Sequence, residues 1–311
     1  MFPSDVHKCT LNLPILSEIM GRKRWFSMWY TRRNLRHFSP LLLVFLAASC
    51  AAPRPVVQAP TAAPPAPAAA APRPAADARA IPRTPDGKPN LEGIWQVRNR
   101  AAYDLQDHHA RYLMPPGAGV VQGGEIPYLP AALKQREENF AKRYEADPLA
   151  SCYMPGVPRI MYLEHPFQIF QTNEMVAMTF EWSLAHRMIH TDGSKPHEGI
   201  EFWMGDSRGR WEGDTLVVNV TNHNDRTWFD MSGNFHSEAL QLVERYTMRD
   251  ANTIQYDVTV TDPKVFTKPW TISMPFYRHT DMPRLLEYHC QAEKEEFNGA
   301  FEREPRTWYP R

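Results

Sequence analysis

The chain has 311 residues, with 35 basic and 35 acidic side chains and therefore a formal net charge of zero. This balance, without a Lys/Arg cluster in the part expected to fold, argues against a nucleic-acid-binding protein, which normally carries a basic face. Aromatic residues make up 12% of the chain. That share suits a large apolar interior or an aromatic-lined cavity.

Residues 31–50 have the organisation of a bacterial export signal. Basic residues come first, and the apolar run at 41–48 is too short to span a bilayer. The run ends in LAASC at Cys50, which resembles the lipobox of bacterial lipoproteins, in which this cysteine is lipidated and becomes the mature N-terminus. The alternative is an ordinary signal peptide that leaves a soluble periplasmic protein. Residues 1–27 match neither kind of signal peptide, so we expect translation to start at Met28.

The following segment, residues 51–80, consists almost wholly of Ala, Pro, Val, Gln and Arg. Such a composition cannot bury a core and predicts a disordered tether. The rest of the chain, residues 81–311, is predicted to form a single domain. Ala51 after the lipidated cysteine is compatible with sorting to the outer membrane. The expected location is therefore the bacterial cell envelope, with the anchor on the periplasmic side.

Short stretches of alternating apolar and polar residues follow one another beyond residue 157, joined by tight turns. The helix at residues 130–144 is the one convincing helix. Asp192-Gly193 predicts a hairpin turn. Predicted strands include those at 168–179 (two strands and a turn), 187–190, 215–221, 239–248, 254–260, 270–277 and 284–290. We predict an all-β domain, an antiparallel up-and-down β-barrel, with a β-sandwich as the alternative.

Several motifs are spread over the whole predicted domain, namely TPDGKPNLEGIW (84–95), DPLASC (147–152), PGVPR (155–159), WEGDTLVV (211–218), NDRTWFD (224–230) and HSE (236–238). As a set they resemble a large family of secreted, mostly uncharacterised bacterial proteins. This chain departs from the family at His223, where the family usually has an aromatic residue, and after Cys290. The resemblance implies export and one shared fold, but no established activity. Gly93-x-Trp95 is also similar to the lipocalin signature, which implies a ligand-holding barrel of the lipocalin or calycin kind.

Two cysteines, Cys152 and Cys290, belong to the predicted domain, whereas Cys9 precedes the expected start of translation. In the oxidising compartment that the export signal implies, two such cysteines favour a disulfide. Two buried free thiols are the alternative.

The densest group of polar and aromatic residues follows the predicted strand at 215–221. It contains His223, Asn224, Asp225, Trp228, Asp230 and His236. On the next strand, Glu244 shares a face with leucine residues, so an inward-facing carboxylate there needs a cationic partner, which Arg187 or Arg245 would supply. Glu181, Arg187 and His190 form a second polar group.

We assign candidate roles from these patterns. A histidine–carboxylate pair for general acid–base work makes His236, Asp225, His190 and Glu244 the candidate catalytic residues. The alternative is that the same groups organise a loop and form structural ion pairs. Candidate ligand-binding residues are Glu181, Arg187, Trp203, Asn224, Trp228, Asp230 and Arg245. His223, Asp225 and His236 are weak candidates for a metal site, and neither a metal nor a cofactor is predicted, since HExxH and CxxC motifs are absent.

Three functional hypotheses remain open. The first is a lipid-anchored barrel that binds a small, largely apolar molecule in the cell envelope. The second is a cofactor-free hydrolase, lyase or isomerase on the same barrel, and the third is a structural envelope lipoprotein. The expected partners are a small-molecule ligand and, through the lipid anchor, the membrane.

Overall fold

The computed structural model describes residues 80–297, whose core is a closed nine-stranded β-barrel. The predicted signal peptide, the start at Met28, the lipidation site Cys50 and all but the last residue of the predicted tether lie outside the described residues. Within residues 80–297, no helix combines the length and the hydrophobicity needed to cross a lipid bilayer.

The strands follow one another around the barrel in chain order, and the ninth closes it by pairing with the first. They are β1 (Gly93–Gln96), β2 (Phe167–Gln171), β3 (Met175–Phe180), β4 (His186–His190), β5 (Asp206–Glu212), β6 (Thr215–Thr221), β7 (Gln241–Asp250), β8 (Thr253–Thr261) and β9 (Trp270–Arg278). The predicted all-β barrel is confirmed, and the alternative sandwich is not formed.

One strand pair departs from the predicted up-and-down pattern. β4 and β5 run parallel, with Ile189 opposite Ser207 and His190 opposite Arg208. The hairpin predicted at Asp192-Gly193 is therefore wrong. Two parallel neighbours begin at the same end of the sheet, so the chain must cross back before the second strand starts. Residues 191–205 form this crossover between β4 and β5.

In the last three strands, buried side chains that face the interior alternate with more exposed ones that face outwards. In β7, Leu242, Glu244, Tyr246 and Met248 are buried, and the residues between them point outwards. β8 and β9 show the same alternation. The rings of Tyr246 and Tyr256 pack at 5.0 Å between centroids. Such aromatic contacts bury large apolar areas and stabilise the interior.

One end of the barrel, which we call the capped end, is covered by segments that lie outside the strands. Here β2, β4, β5, β7 and β9 begin. Residues 97–166 contain the helices α1 (Pro130–Ala141) and α2 (Arg143–Ala146), and they meet the β6–β7 loop at this end. A wholly buried 3-10 turn at Arg159–Tyr162 anchors them, and the Tyr162 hydroxyl donates to the Phe229 carbonyl at 2.9 Å.

Two predicted elements differ from the structure. The helix predicted at 130–144 is divided, because Lys142 leaves helical geometry between α1 and α2. The strand predicted at 284–290 is wrong: this segment makes a single bridge, from Tyr288 to Trp182, and is followed by the helix α3 (Cys290–Phe297). Since β9 already pairs with β8 and β1, the closed barrel offers no free edge for another strand.

The expected disulfide joins Cys152 and Cys290, with an S–S distance of 2.06 Å. It fastens the start of α3 to the segment after α2. The Lys294 ammonium adds a second connection by donating to the Ala150 carbonyl at 2.8 Å. The C-terminal segment is thereby held at the capped end.

Candidate functional site

A buried ion pair occupies the interior of the barrel, as the alternation of β7 predicts for Glu244. Its partner is Arg187 on β4, which donates to Glu244 Oε1 at 3.0 Å and also to Oε2. Arg187 Nε donates to Ser207 at 3.1 Å, and the Tyr256 hydroxyl donates to Glu244 Oε1 at 2.6 Å. Tyr246 completes the cluster, since its hydroxyl contacts both Arg187 and Glu244 at 3.1 Å.

The electrostatics of this cluster keep each group in one protonation state. Burial lowers the pKa of Arg187, but Glu244 and the tyrosine hydroxyls raise it by more, so the guanidinium stays charged. Burial and the nearby carboxylate raise the pKa of Tyr246 and Tyr256 well above the ordinary value. The phenols therefore remain neutral donors, and the cluster is a fully hydrogen-bonded structural core.

Side chains fill the barrel around this cluster. Arg187 is 3% exposed, and Glu244, Tyr246 and Tyr256 are 0% exposed. A void large enough for a ligand would leave part of these side chains open to a water-sized sphere. The barrel interior around the ion pair is therefore packed, and a ligand site has to be sought elsewhere.

The predicted pair of His236 and Asp225 is not formed. His236 lies 2.7 Å from the Thr227 hydroxyl through Nε2 and 3.0 Å from the Ser237 carbonyl through Nδ1. Asp225 is exposed. Burial lowers the pKa of His236, so its imidazole is neutral. The geometry is that of a histidine that organises the β6–β7 loop.

His223 packs against His236, with 5.8 Å between the ring centroids. It is 1% exposed, and neither ring nitrogen has a hydrogen-bond partner within the described residues. Burial, followed by the proximity of His236 and Arg187, holds the pKa of His223 well below its ordinary value. Among residues 80–297, no group of three His, Cys, Asp or Glu side chains is arranged to hold a metal ion.

Asp230 lies beneath the capped end, with both carboxylate oxygens hydrogen-bonded. The backbone N–H of Leu105 donates to it at 2.8 Å, and that of Asn234 at 3.2 Å. Burial and the neighbouring Asp104 carboxylate raise the pKa of Asp230 to about 7. Because Asp230 is 0% exposed, it orders the loop and does not reach a surface cavity.

The remaining candidate residues are separated from one another. His190 lies on the outer face of β4, and Arg245 on the outer face of β7 donates to Glu212 at 3.1 Å. Trp203 stacks on Tyr153. The others make local contacts: Glu181 with His165 and the Leu286 N–H, Asn224 with the Arg226 N–H, and Trp228 with Phe235. The structure therefore does not assemble the residues predicted for a single site.

A pocket of about 270 Å³ lies at the capped end. We call it the side pocket. It forms where residues 102–103, 143–150, 159–165, the β3–β4 turn and the β6–β7 loop come together. Its apolar wall is provided by Ala102, Leu149, Leu163, Trp182 and Met231. Such a wall is typical of small-molecule sites, which combine apolar surface with a few polar groups.

The polar part of the side pocket centres on a buried ion pair between Arg159 and Asp147. The two guanidinium nitrogens of Arg159 donate to the carboxylate at 2.7 and 2.8 Å. Arg143 also lies at this wall, where its guanidinium stacks on Phe140 and Tyr144 at 4.2 and 4.3 Å. The pocket thus presents guanidinium groups beside an apolar surface.

A larger groove of about 790 Å³ lies between α1, residues 122–128 and residues 267–271. Its rim carries the exposed side chains of Gln122, Glu125 and Lys268. Polar surface makes up a larger share of the lining of this groove than of the side pocket, so the side pocket is the more apolar of the two. We therefore regard the side pocket as the candidate functional site, although it is smaller.

Sequence reasoning missed the side-pocket residues because they come from five separate segments. Four of them lie inside motifs: Asp147, Leu149 and Ala150 in DPLASC, and Arg159 at the end of PGVPR. The presence of an acidic and a basic residue in two neighbouring motifs was the only sequence signal for the ion pair between Asp147 and Arg159. Trp182 and Met231 carried no comparable signal.

Comparison with protein-family models and curated sequences adds no relative. No protein-family model matches the chain, and no curated protein sequence matches it. The motif resemblance to secreted bacterial proteins therefore stays a prediction, and the functional argument depends on the geometry of the side pocket.

Proposed function

We propose that this chain is a lipid-anchored protein of the bacterial cell envelope that binds a small, largely apolar molecule in the side pocket. The observation that carries the proposal is the contrast between a packed barrel interior and a pocket of about 270 Å³ with apolar walls. This volume, slightly below the range of drug-sized sites, suits a ligand of roughly ten to fifteen heavy atoms. Export to an oxidising compartment is supported by the Cys152–Cys290 disulfide.

The anchor is tested by metabolic labelling with an alkyne-bearing fatty acid in a bacterial host that expresses the full chain. Labelled protein is expected in the outer-membrane fraction. The matched control is Cys50→Ser, which removes the thiol that the lipobox resemblance identifies. Equal labelling of both chains, or no labelling of either, contradicts lipidation at Cys50.

Ligand binding is tested on the full exported chain carrying Cys50→Ser, which allows purification without detergent. Titration calorimetry with octanoate, octanamide and octan-1-ol probes the pocket, and dissociation constants of roughly 0.01–1 mM are expected for ligands of this size. Met231→Trp, which fills the pocket, is expected to abolish binding of all three probes. Met188→Trp is the matched control, because Met188 is exposed on the outer face of β4.

Two outcomes contradict the proposal. If none of the three probes binds saturably, the pocket is not an apolar ligand site, and the structural hypothesis gains. If Met231→Trp and Met188→Trp bind the probes equally well, the ligand lies elsewhere on the protein.

A cofactor-free hydrolase, lyase or isomerase remains the second candidate. The observation in its favour is the pKa of Asp230, raised to about 7 by burial and by the Asp104 carboxylate, since acid–base catalysts often have perturbed pKa values. The test is hydrolysis of 4-nitrophenyl acetate by the protein and by Asp230→Asn. If the protein hydrolyses the ester and the variant does not, although both unfold at the same denaturant concentration, the enzyme becomes the favoured hypothesis. No turnover is expected, because Asp230 is fully buried.

A further inference from the structure

We infer that the ligand of the side pocket is a small carboxylic acid whose carboxylate is recognised by Arg143 and the neighbouring N–H donors. This inference rests on the proposed function and names its ligand class. It is carried by two observations: unpaired N–H donors on residues that line the pocket, and a guanidinium among those residues that has no carboxylate partner in the described part of the chain.

Three N–H groups of the pocket wall have no hydrogen-bond partner within the described residues. They are Arg143 Nε, Arg159 Nε and Trp182 Nε1. Buried donors in native proteins are nearly always paired, so each unpaired one requires an explanation. All three are donors only, so a ligand that supplies acceptor oxygens suits them. Each nitrogen is itself buried, and its side chain must turn towards the pocket to reach such a ligand.

The lining of the side pocket contains two arginines and two carboxylates, and Arg143 is the arginine without a carboxylate partner among the described residues. Asp147 is paired with Arg159, and Glu164 accepts from Tyr103 and pairs with Arg100. Arg143 donates only to the Phe140 carbonyl at 2.8 Å and the Tyr144 hydroxyl at 2.9 Å, and none of the ion pairs within residues 80–297 involves it. Arg143 is therefore the group that can pair with an anion, and guanidinium groups suit carboxylates in particular.

The rest of the pocket favours an apolar body on the same molecule. Leu149, Leu163 and Met231 also line the pocket, and the Trp182 ring is stacked on Tyr288 with 5.0 Å between centroids. Burial of a hydrocarbon chain against these side chains supplies affinity, while the carboxylate supplies orientation.

The test compares octanoate with its near-isosteric neutral amide, octanamide, by calorimetry on the Cys50→Ser chain. Octanoate is expected to bind roughly tenfold more tightly, because hydrogen bonds to a charged group are about twice as strong as neutral ones. Arg143→Gln is expected to remove this difference, because it weakens the binding of octanoate more than that of octanamide. Arg143→Lys is expected to restore part of it, since the charge returns without the planar guanidinium.

Arg98→Gln is the matched control, because Arg98 also stacks on a tyrosine, at 4.6 Å from the Tyr277 ring, and does not line the side pocket. It is expected to leave both affinities unchanged. Equal binding of octanoate and octanamide, or an equal loss in Arg98→Gln and Arg143→Gln, overturns the carboxylate inference and leaves the apolar binder intact. Absence of binding by every probe overturns the proposed function itself.

Discussion

Two buried arginine–carboxylate pairs, Arg187–Glu244 in the barrel and Arg159–Asp147 at the side pocket, differ in how completely their nitrogens are hydrogen-bonded. Every guanidinium nitrogen of Arg187 has a partner, with Ser207 taking the bond from Nε. Arg159 binds its carboxylate in the same bidentate manner, but its Nε has no partner within the described residues. The arginine of the barrel pair is therefore fully hydrogen-bonded, whereas the arginine of the side-pocket pair is not.

The difference separates a structural role from a binding role. A buried polar cluster that is fully satisfied rigidifies a core and has nothing left to offer a ligand. A cluster with unpaired donors on the wall of an apolar cavity still has hydrogen-bonding groups to offer a ligand. Glu244 was predicted as a catalytic residue and Arg187 as a ligand-binding residue. Their geometry instead supports a structural role in the core of the barrel.

The largest effect is expected from breaking the closed pair. Glu244→Gln leaves the Arg187 charge buried without a counter-charge, and it should destabilise the domain by about 3–5 kcal/mol. The measurement is equilibrium unfolding in guanidinium chloride, with the midpoint and slope recorded for both proteins. Unchanged stability would mean that the ion pair is not the centre of the packed interior.

The second prediction concerns the disulfide, which fastens the side-pocket region and not the barrel interior. Cys290 Sγ lies 4.0 Å from the carbonyl of Leu149, a pocket residue. Cys152→Ser with Cys290→Ser should destabilise the domain by about 2–4 kcal/mol, since it releases a closed loop of the unfolded chain.

The same double variant should also weaken octanoate binding, whereas the ultraviolet circular dichroism of the barrel aromatics should be retained. Comparison of calorimetry and near-ultraviolet spectra at a temperature where both proteins are folded provides the measurement. Unchanged affinity would show that α3 and the pocket wall are positioned independently.

The barrel could be predicted from sequence because its information is local. Alternation in β6, β7, β8 and β9 marks the inward face, and turn residues such as Gly213, with φ +58°, mark the hairpins. The parallel contact of β4 with β5 could not be predicted in this way, because it depends on where residues 191–205 travel. The strand predicted at 284–290 failed for a related reason: closure of the barrel is a global property.

The site was less predictable than the fold, because the strongest polar patterns mark structural positions. His236 and Asp230 lie in conspicuous motifs, but they are used to order a loop. The side pocket is formed by residues far apart in the chain, and its unused donors are recognisable only when their surroundings are known.

The third prediction uses the unpaired ring of His223. Since burial lowers its pKa in the folded protein, the unfolded chain binds the proton more readily below its ordinary pKa of about 6.5. Stability is therefore complete above that pH and is lost as the pH falls. His223→Leu should stabilise the domain by about 1 kcal/mol at pH 8, because an unsatisfied buried group is removed.

The stabilisation by His223→Leu should increase as the pH is lowered from 7 to 5. The measurement is thermal unfolding of the variant and of the unmodified protein across that range. Asp230 and His236 are present in both proteins, so their titrations largely cancel in the difference. Leucine is chosen because a Cβ at Gly205 would lie only 2.7 Å from the His223 ring, which leaves little room for a larger side chain. A gain that is constant with pH would show that His223 titrates normally.

The smallest effect on stability is expected for a substitution of Arg245, the neighbour of Glu244, where the largest effect is expected. Arg245 follows Glu244 on β7, yet it faces outwards and its partner Glu212 is exposed. Arg245→Gln should therefore leave the unfolding midpoint unchanged within error, because an exposed ion pair is screened by water and salt. It should also leave octanoate binding unchanged, since Arg245 is not part of the side pocket. A midpoint shift comparable to that of Glu244→Gln would contradict the inward and outward assignment of β7, on which the contrast between a closed core and an incomplete pocket depends.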